Sequence, residues 1–255
     1  MRVLGLNGRK IREIEEPWFF KGEVREDLIK RVVVAMEANR KQPQGRDVMA
    51  GKRTTAESWG VGYGRARVPR DERGRGRLIT GAVGGRRAHP PRAEKKIERK
   101  VNKKEKKLAL ISALIATARE DYVRGRGHKI NDKVNLPIII TNKIEKIEKT
   151  QKLIEVLQRL GLKDELERCK KGIKKRSGKS RMRNRTKRKP RGPLIVVEDG
   201  INLYRAARNI PGVEVMRARE LNVEHLAPGG QPGRLVIWTP QSLKVIEERL
   251  GGIKE

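Results

Sequence analysis

Three kinds of residue in this chain have the types and spacing to do chemistry. The first are phosphate-loop look-alikes: GRDVMAGKRT from Gly45 and GIKKRSGKSR from Gly172 each pair glycines with a Gly-Lys step. A phosphate loop cradles a nucleotide with backbone amides, holds it with lysine and uses Ser or Thr for magnesium, and it needs four residues between its glycines. Both stretches have five, the first puts Arg53 where the hydroxyl belongs, and neither reads as lying between a strand and a helix. GVGYG at Gly60 is not the dinucleotide fingerprint GxGxxG. The second kind are acids at a strand end: Glu198 and Asp199 follow the apolar run LIVV. They read as turn residues, since no positioned histidine, lysine or further carboxylate accompanies them. His89, His128 and His225 are widely separated, and Cys169 is the single cysteine. That excludes an internal disulfide and any zinc-ligand spacing. No catalytic constellation, metal site or cofactor site is expected.

The third kind is of another sort. In WGVGYGRARVPRDERGRGR, Trp59 and Tyr63 are interleaved with Arg65, Arg67, Arg70, Arg73, Arg75 and Arg77. Rings and guanidinium planes stack on unpaired bases, and glycine lets a backbone approach phosphates closely. The chemistry these residues suit is nucleic-acid contact.

Charge supports that reading. The 255 residues carry a net charge of +32, which calls for a polyanionic partner. Residues 40–95 hold +10 and residues 170–192 hold +13, whereas residues 193–255 balance to zero. Between Asn39 and Lys96 the only Leu, Ile or Phe residues are Leu78 and Ile79. Such a stretch cannot bury enough apolar surface to offset its ordering entropy, and alone it is expected to be disordered. The same holds for KKGIKKRSGKSRMRNRTKRKPRG from Lys170.

The elements that must position these segments are legible. Helical spacing places Val24, Leu28, Val32 and Ala35 on one face, and Leu108, Ile111, Ile115, Ala118 and Tyr122 on another. A third helix is expected from a cap at Asn142 to a left-handed stop at Gly161. LPIII from Leu136, LIVV from Leu194, VEVM from Val213 and RLVIW from Arg234 alternate with helical stretches. The last helix has Thr239 as cap and Pro240 at its first position. RVLGLNGRKIREIE reads as two short strands or a hairpin whose place in the sheet is open. The expected fold is α/β, a parallel sheet with helices on both faces, carrying long irregular basic extensions. One globular domain is expected from residues 1–39, 96–169 and 193–255, interrupted by a basic internal loop at 40–95 and a second basic extension at 170–192. The longest apolar run, LALISALIATA, is too short to span a bilayer, and MRVLGLNGRK has no signal-peptide core. No membrane partner is expected, and a cytoplasmic location is.

Several long strings resemble one family, the fourth protein of the large ribosomal subunit in its archaeal and eukaryotic form: ANRKQPQGRDVMAGKRTTAESWGVGYGRARVP, AVGGRRAHPPRAEK, SALIATA, AARN and LAPGGQPGRL. The similarity covers essentially the whole chain. It implies a non-enzymatic structural protein that organises large-subunit rRNA beside neighbouring ribosomal proteins, without forming a homo-oligomer. It further implies a Rossmann-like globule with no nucleotide site, and an internal loop reaching the wall of the peptide exit tunnel. The loop tip, Trp59, Gly60, Val61, Gly62, Tyr63, Gly64 and Arg65, would then lie near the nascent peptide. The rRNA-binding set implied in the loop adds Arg46, Lys52, Arg53, Arg86, Arg87, His89 and Arg92 to the arginines above. Beyond it lie Lys103 and Lys104, then Lys174, Lys175, Arg176, Lys179, Arg181, Arg183, Arg185, Lys187, Arg188, Lys189 and Arg191. Readings from other classes are an RNA-processing or nucleotide-dependent enzyme on the α/β sheet, and a chromatin-type DNA-binding protein.

Overall fold

The computed structural model describes residues 1–131 and 134–251. The chain divides into two compact units, one of residues 1–36 with 100–255 and one of Glu37–Arg99.

The first unit is built on a six-stranded sheet. Of the two readings left open for the N-terminal stretch it forms the hairpin, β1 (Arg2–Leu4) and β2 (Lys10–Glu13), and β1 joins the sheet parallel to β3 (Ile138–Ile140). After β3, a 3-10 turn at Asn142–Lys146 leads to helices α4 (Thr150–Arg159) and α5 (Lys163–Lys171). A two-stranded hairpin, β4 (Lys174–Lys175) with β5 (Lys187–Arg188), brackets the short helix α6 (Gly178–Met182). The chain returns as β6 (Leu194–Val197), α7 (Ile201–Ala207), β7 (Glu214–Arg217), α8 (Val223–Leu226), β8 (Val236–Trp238) and α9 (Pro240–Leu250). Strand order is β2-β1-β3-β8-β6-β7, with every pair parallel except the hairpin.

Strand alternation sends successive side chains to opposite faces, and each face acquires its own core. Leu194 and Val196 face one way with Val3, Ile139, Val236 and Trp238, under α1 (Glu26–Asn39), α2 (Lys103–Ala118) and α9. Ile195 and Val197 face the other with Ile138, Ile140 and Ile237, under α4 and α7. Burial on both faces is why these strands read as continuous apolar runs. Thr239 accepts a hydrogen bond from the amide of Ser242, whose hydroxyl in turn accepts from the Thr239 amide, so the Thr239 cap expected for α9 is present and is closed as a capping box.

Two expected helices differ. The stretch from Asn142 to Gly161 is not continuous: the 3-10 turn ends at Lys146, Ile147–Lys149 is extended, and only then does α4 run to a left-handed Gly161 (φ 81°). Ile144 and Ile147 are both buried, the first in the 3-10 turn and the second where it gives way to extended backbone. The helix through Leu108 also breaks, at the extended Arg119, before α3 (Glu120–Gly125). Its buried face is not the expected stripe. Leu108 is 44% exposed, while Ala109, Leu110 and every residue from Ser112 to Thr117 are buried. A helix enclosed nearly all round loses the amphipathic signature that spacing arguments read.

Candidate nucleic-acid interface

The unit Glu37–Arg99 has turns and two isolated bridges where other units have elements, yet its shape is specified. Arg70 exchanges backbone hydrogen bonds with Glu57 (2.9 and 3.2 Å). The Asp71 carboxylate accepts from the amide of Arg75 (2.8 Å) and from Nε of Arg77 (3.1 Å), which hold it below the usual carboxylate range, the Arg75 amide most strongly. Arg77 also donates to the carbonyl of Val83, and Arg70 to that of Gly74. Ala56 is the buried apolar residue of the segment beyond the end of α1. Hydrogen bonds therefore do the work that a core does elsewhere.

These bonds hold Trp59 in a cationic cage. Arg65 stands 5.5 Å and Arg70 5.9 Å from its ring centroid, and Tyr63 lies 6.0 Å away at 58°. Trp59 is nevertheless 41% exposed and Tyr63 65% exposed. Gly60, Gly62 and Gly64 all have positive φ (82°, 93° and 62°), with nothing within 4 Å of where a Cβ would stand. Space is open there, so backbone conformation selects glycine. Val61 between them is exposed.

The remaining candidates of this unit point outward. Arg46, Lys52, Arg53, Arg67, Arg73, Arg75, Arg86, Arg87, His89 and Arg92 are all exposed, and Arg53 pairs with Asp47 at 2.6 Å. Arg70 and Arg77 differ from the rest, being half-buried with donors already committed inside the segment. The unit closes on itself at Asn39, the last residue of α1. Its side-chain amide donates to the carbonyl of Arg99 (3.3 Å), and its side-chain carbonyl accepts from the Arg99 amide (2.8 Å). One residue thus ties together backbone 60 positions apart.

In the other unit, Lys103 and Lys104 are exposed in the first turn of α2. Lys174, Lys175, Lys179, Arg181, Arg183, Arg185, Lys187, Arg188 and Lys189 are exposed along the β4-α6-β5 excursion, with Arg176 half-buried. GIKKRSGKSR departs from expectation here, because a strand precedes Gly178 and a helix follows it. The five residues after Gly172 include β4 itself, so only Arg176 and Ser177 separate strand from helix, too few to form a phosphate cradle. GRDVMAGKRT from Gly45 lies in turns, without a strand before it.

The excursion is held at its base by groups that sequence reasoning missed. Glu165 of α5 is completely buried and accepts hydrogen bonds from His128 Nδ1 (2.7 Å), the Lys129 amide (2.9 Å), Nε and Nη2 of Arg168 (2.8 and 2.7 Å) and, more weakly, the Cys169 thiol (3.9 Å). Burial pushes this carboxyl up, but the bonds from Arg168 and His128, with the Lys129 amide, more than offset it and hold it at about 2. Burial pushes His128 down, against the pull of Glu165. Its Nε2 is buried with no acceptor among the described residues, so the neutral ring, donating through Nδ1, is the form that fits. Arg168 Nη2 reaches on to the carbonyl of Arg191 (2.8 Å). Arg191 itself pairs with Glu214, which also meets the fully buried Arg234 at 2.8 Å, and Arg234 Nε donates to the carbonyl of Gly192 (3.0 Å). Burial, and then Arg191, push Arg234 down to about 9, which leaves it charged at neutral pH. The signal for this base was present in the sequence as an arginine opening an apolar strand and an acid ahead of an acid-free run. Pairing them required the fold.

Glu198 and Asp199 occupy the turn between β6 and α7. The Glu198 amide donates to Glu145 (3.2 Å) and Asp199 pairs with Arg217 (3.1 Å). Among the described residues no cluster of His, Cys, Asp and Glu has the makings of a metal site, and no helix is long and apolar enough to cross a membrane.

A mixed α/β protein with a mostly parallel six-stranded sheet and many exposed cationic side chains is the class this geometry defines. Residues 14–249 match the ribosomal protein L4/L1 family, and the chain belongs to it. It is 49% identical to the large ribosomal subunit protein uL4 of Sulfurisphaera tokodaii over 98% of this chain and 94% of the relative. The proteins of the same name from Methanocaldococcus jannaschii (47%, covering 97% and 98%) and Methanopyrus kandleri (45%, covering 98% of each) are similarly related. The family is one of ribosomal structural proteins and not of enzymes, and the chain is of its archaeal type.

Two outcomes are expected from the bases of the excursions. Asn39→Ala removes both bonds to Arg99, each worth about 0.5–1.5 kcal/mol, and should speed hydrogen exchange at the Arg99 amide by roughly tenfold while α2 keeps its protection. The acid response follows from the signs: His128 and Glu165 both have folded pKa values below their unfolded ones. Stability is therefore full above the ordinary histidine value of 6.5, begins to fall as His128 protonates below it, and falls further between 4.5 and about 2 as Glu165 protonates. Glu165→Gln should cost about 3 kcal/mol at neutral pH and flatten the lower limb in urea melts taken from pH 7 to 3. A variant that kept the full acid response would assign it to other carboxylates.

Proposed function

We propose that the protein binds and organises large-subunit rRNA. The carrying observation is the concentration of exposed cationic side chains on two excursions, residues 40–95 and 170–192, whose bases are fixed by hydrogen bonds. The globular part, residues 1–39 with 96–169 and 193–255, acts as the anchor. It is Rossmann-like in its layers, without the phosphate loop or dinucleotide fingerprint of a nucleotide-cofactor site. A segment poor in apolar residues gains little by packing on itself, and RNA supplies the counter-charge and stacking surface it lacks. Arg70, Arg77 and Asp71 shape the segment, leaving Arg65, Arg67, Arg73 and Arg75 for phosphates and Trp59 and Tyr63 for bases. Membership of the family supports an extension of this reading, in which residues 59–65 lie at the wall of the peptide exit tunnel beside the nascent chain. The protein would serve there as a single copy among neighbouring ribosomal proteins, in the cytoplasm.

Two measurements test the two levels separately. Neutralising ten phosphates should give a slope of log affinity on log salt of about −7 to −9 for a large-subunit rRNA fragment, and a flat response would remove charge neutralisation as the mode of binding. In ribosomes carrying a stalled nascent chain with a photoreactive residue, crosslinks should fall within residues 59–65 when that residue passes the loop. Crosslinks to other proteins alone, at every position of the probe, would place the tip away from the tunnel.

A further inference from the structure

We infer that a pocket on the globular unit, between α7 and the C-terminal ends of β6 and β7, takes one unstacked nucleotide of RNA, its base against Tyr204 and its phosphate on Arg205 and Arg208. The inference rests on the RNA-binding reading above but concerns neither cationic excursion.

The pocket encloses about 350 Å³, toward the small end of the range of roughly 300–1,000 Å³ typical of small-molecule sites. Val197, Val215 and Met216 form its apolar floor. Gly200 keeps it open, because a Cβ there would stand 2.5 Å from Val197 Cγ2. Ile201, Tyr204, Arg205 and Arg208 follow at helical spacing i, i+3, i+4 and i+7, which puts them along one side of α7 and its end. Leu203, Ala206 and Ala207, on the opposite side, are buried in the core. Ile201 and Tyr204 are 53% and 57% exposed, an unusual use of two large apolar side chains one turn apart on a surface helix.

The rim decides the kind of occupant. Arg217 is engaged by Asp199 at 3.1 Å, and Glu220 also stands on the rim. Arg205 and Arg208 make no side-chain hydrogen bond or ion pair among the described residues. An apolar side chain of a neighbouring protein would fill the floor but leave both guanidinium groups without counter-charge. A nucleotide meets both needs at once: its base offers a π-face to the tyrosine ring and a flat surface to the floor, and its phosphate suits two arginines one turn apart.

Hydroxyl-radical footprinting of the full chain, free and bound to a large-subunit rRNA transcript without other proteins, tests this. Tyr204 oxidation should drop at least fivefold in the complex. Arg205→Ala/Arg208→Ala should restore oxidation at Tyr204 while Trp59 and Tyr63 remain protected. Tyr204→Phe should keep the protection at that position. Tyr204 oxidised equally in both states, with Trp59 protected, would overturn the nucleotide site and leave the RNA-binding reading standing. Protection that appears only in the assembled subunit would assign the pocket to a neighbouring protein and equally overturn it. A chain that forms no complex with the transcript would remove both readings together.

Discussion

The structure depends on one constraint: a chain with a surplus of 32 positive charges must fix its most cationic segments at their points of departure and return. Each point of return is closed by directional bonds. Asn39 closes the larger excursion from a single side chain, using both its donor and its acceptor on the Arg99 backbone. Glu165 closes the smaller one through Arg168, which carries the connection to the Arg191 carbonyl. Both closures rest on hydrogen bonds and ion pairs, because the excursions themselves have few apolar residues to pack.

The two closures differ in environment and so in character. Asn39 and Arg99 are exposed, and water competes for their bonds. Glu165 is buried, and an ionised carboxylate there is tolerable only because His128, the Lys129 amide and Arg168 donate to it. The second closure also collects three arginines around two acids, with Arg234 wholly inside the protein. Removing one partner would strand a buried charge, so the group behaves as a unit. Cys169 sits in the same place, with its thiol pushed up to about 11 by burial, which leaves it an inert packing group.

Much of this architecture is legible in the sequence because period and composition carry it. The strands at Ile138, Leu194 and Val236 are apolar on both faces and announce a sheet covered on both sides. The capped start at Thr239 needs no tertiary information at all. The two excursions are visible as runs of charge without apolar residues. What escaped was whatever depends on which residues meet. The kink at Ile147–Lys149 and the all-round burial of α2 follow from neighbours that spacing cannot reveal. The same holds at the interface: exposure of Arg65 and Arg67 follows from composition, whereas the internal duties of Arg70 and Arg77 do not. An acid such as Asp71 inside a basic run is the nearest thing to a warning that some of its arginines are spoken for.

The Asn39 closure also bears on how such a protein can change over generations. Because one side chain grips one backbone position 60 residues later, the grip is indifferent to what lies between them. The entropic cost of closing a flexible loop rises only with the logarithm of its length, about 0.6 kcal/mol per doubling. Lineages could therefore lengthen, shorten or re-tip the excursion to follow the RNA around it, and the globule would register little more than a change in the length of a tethered insert.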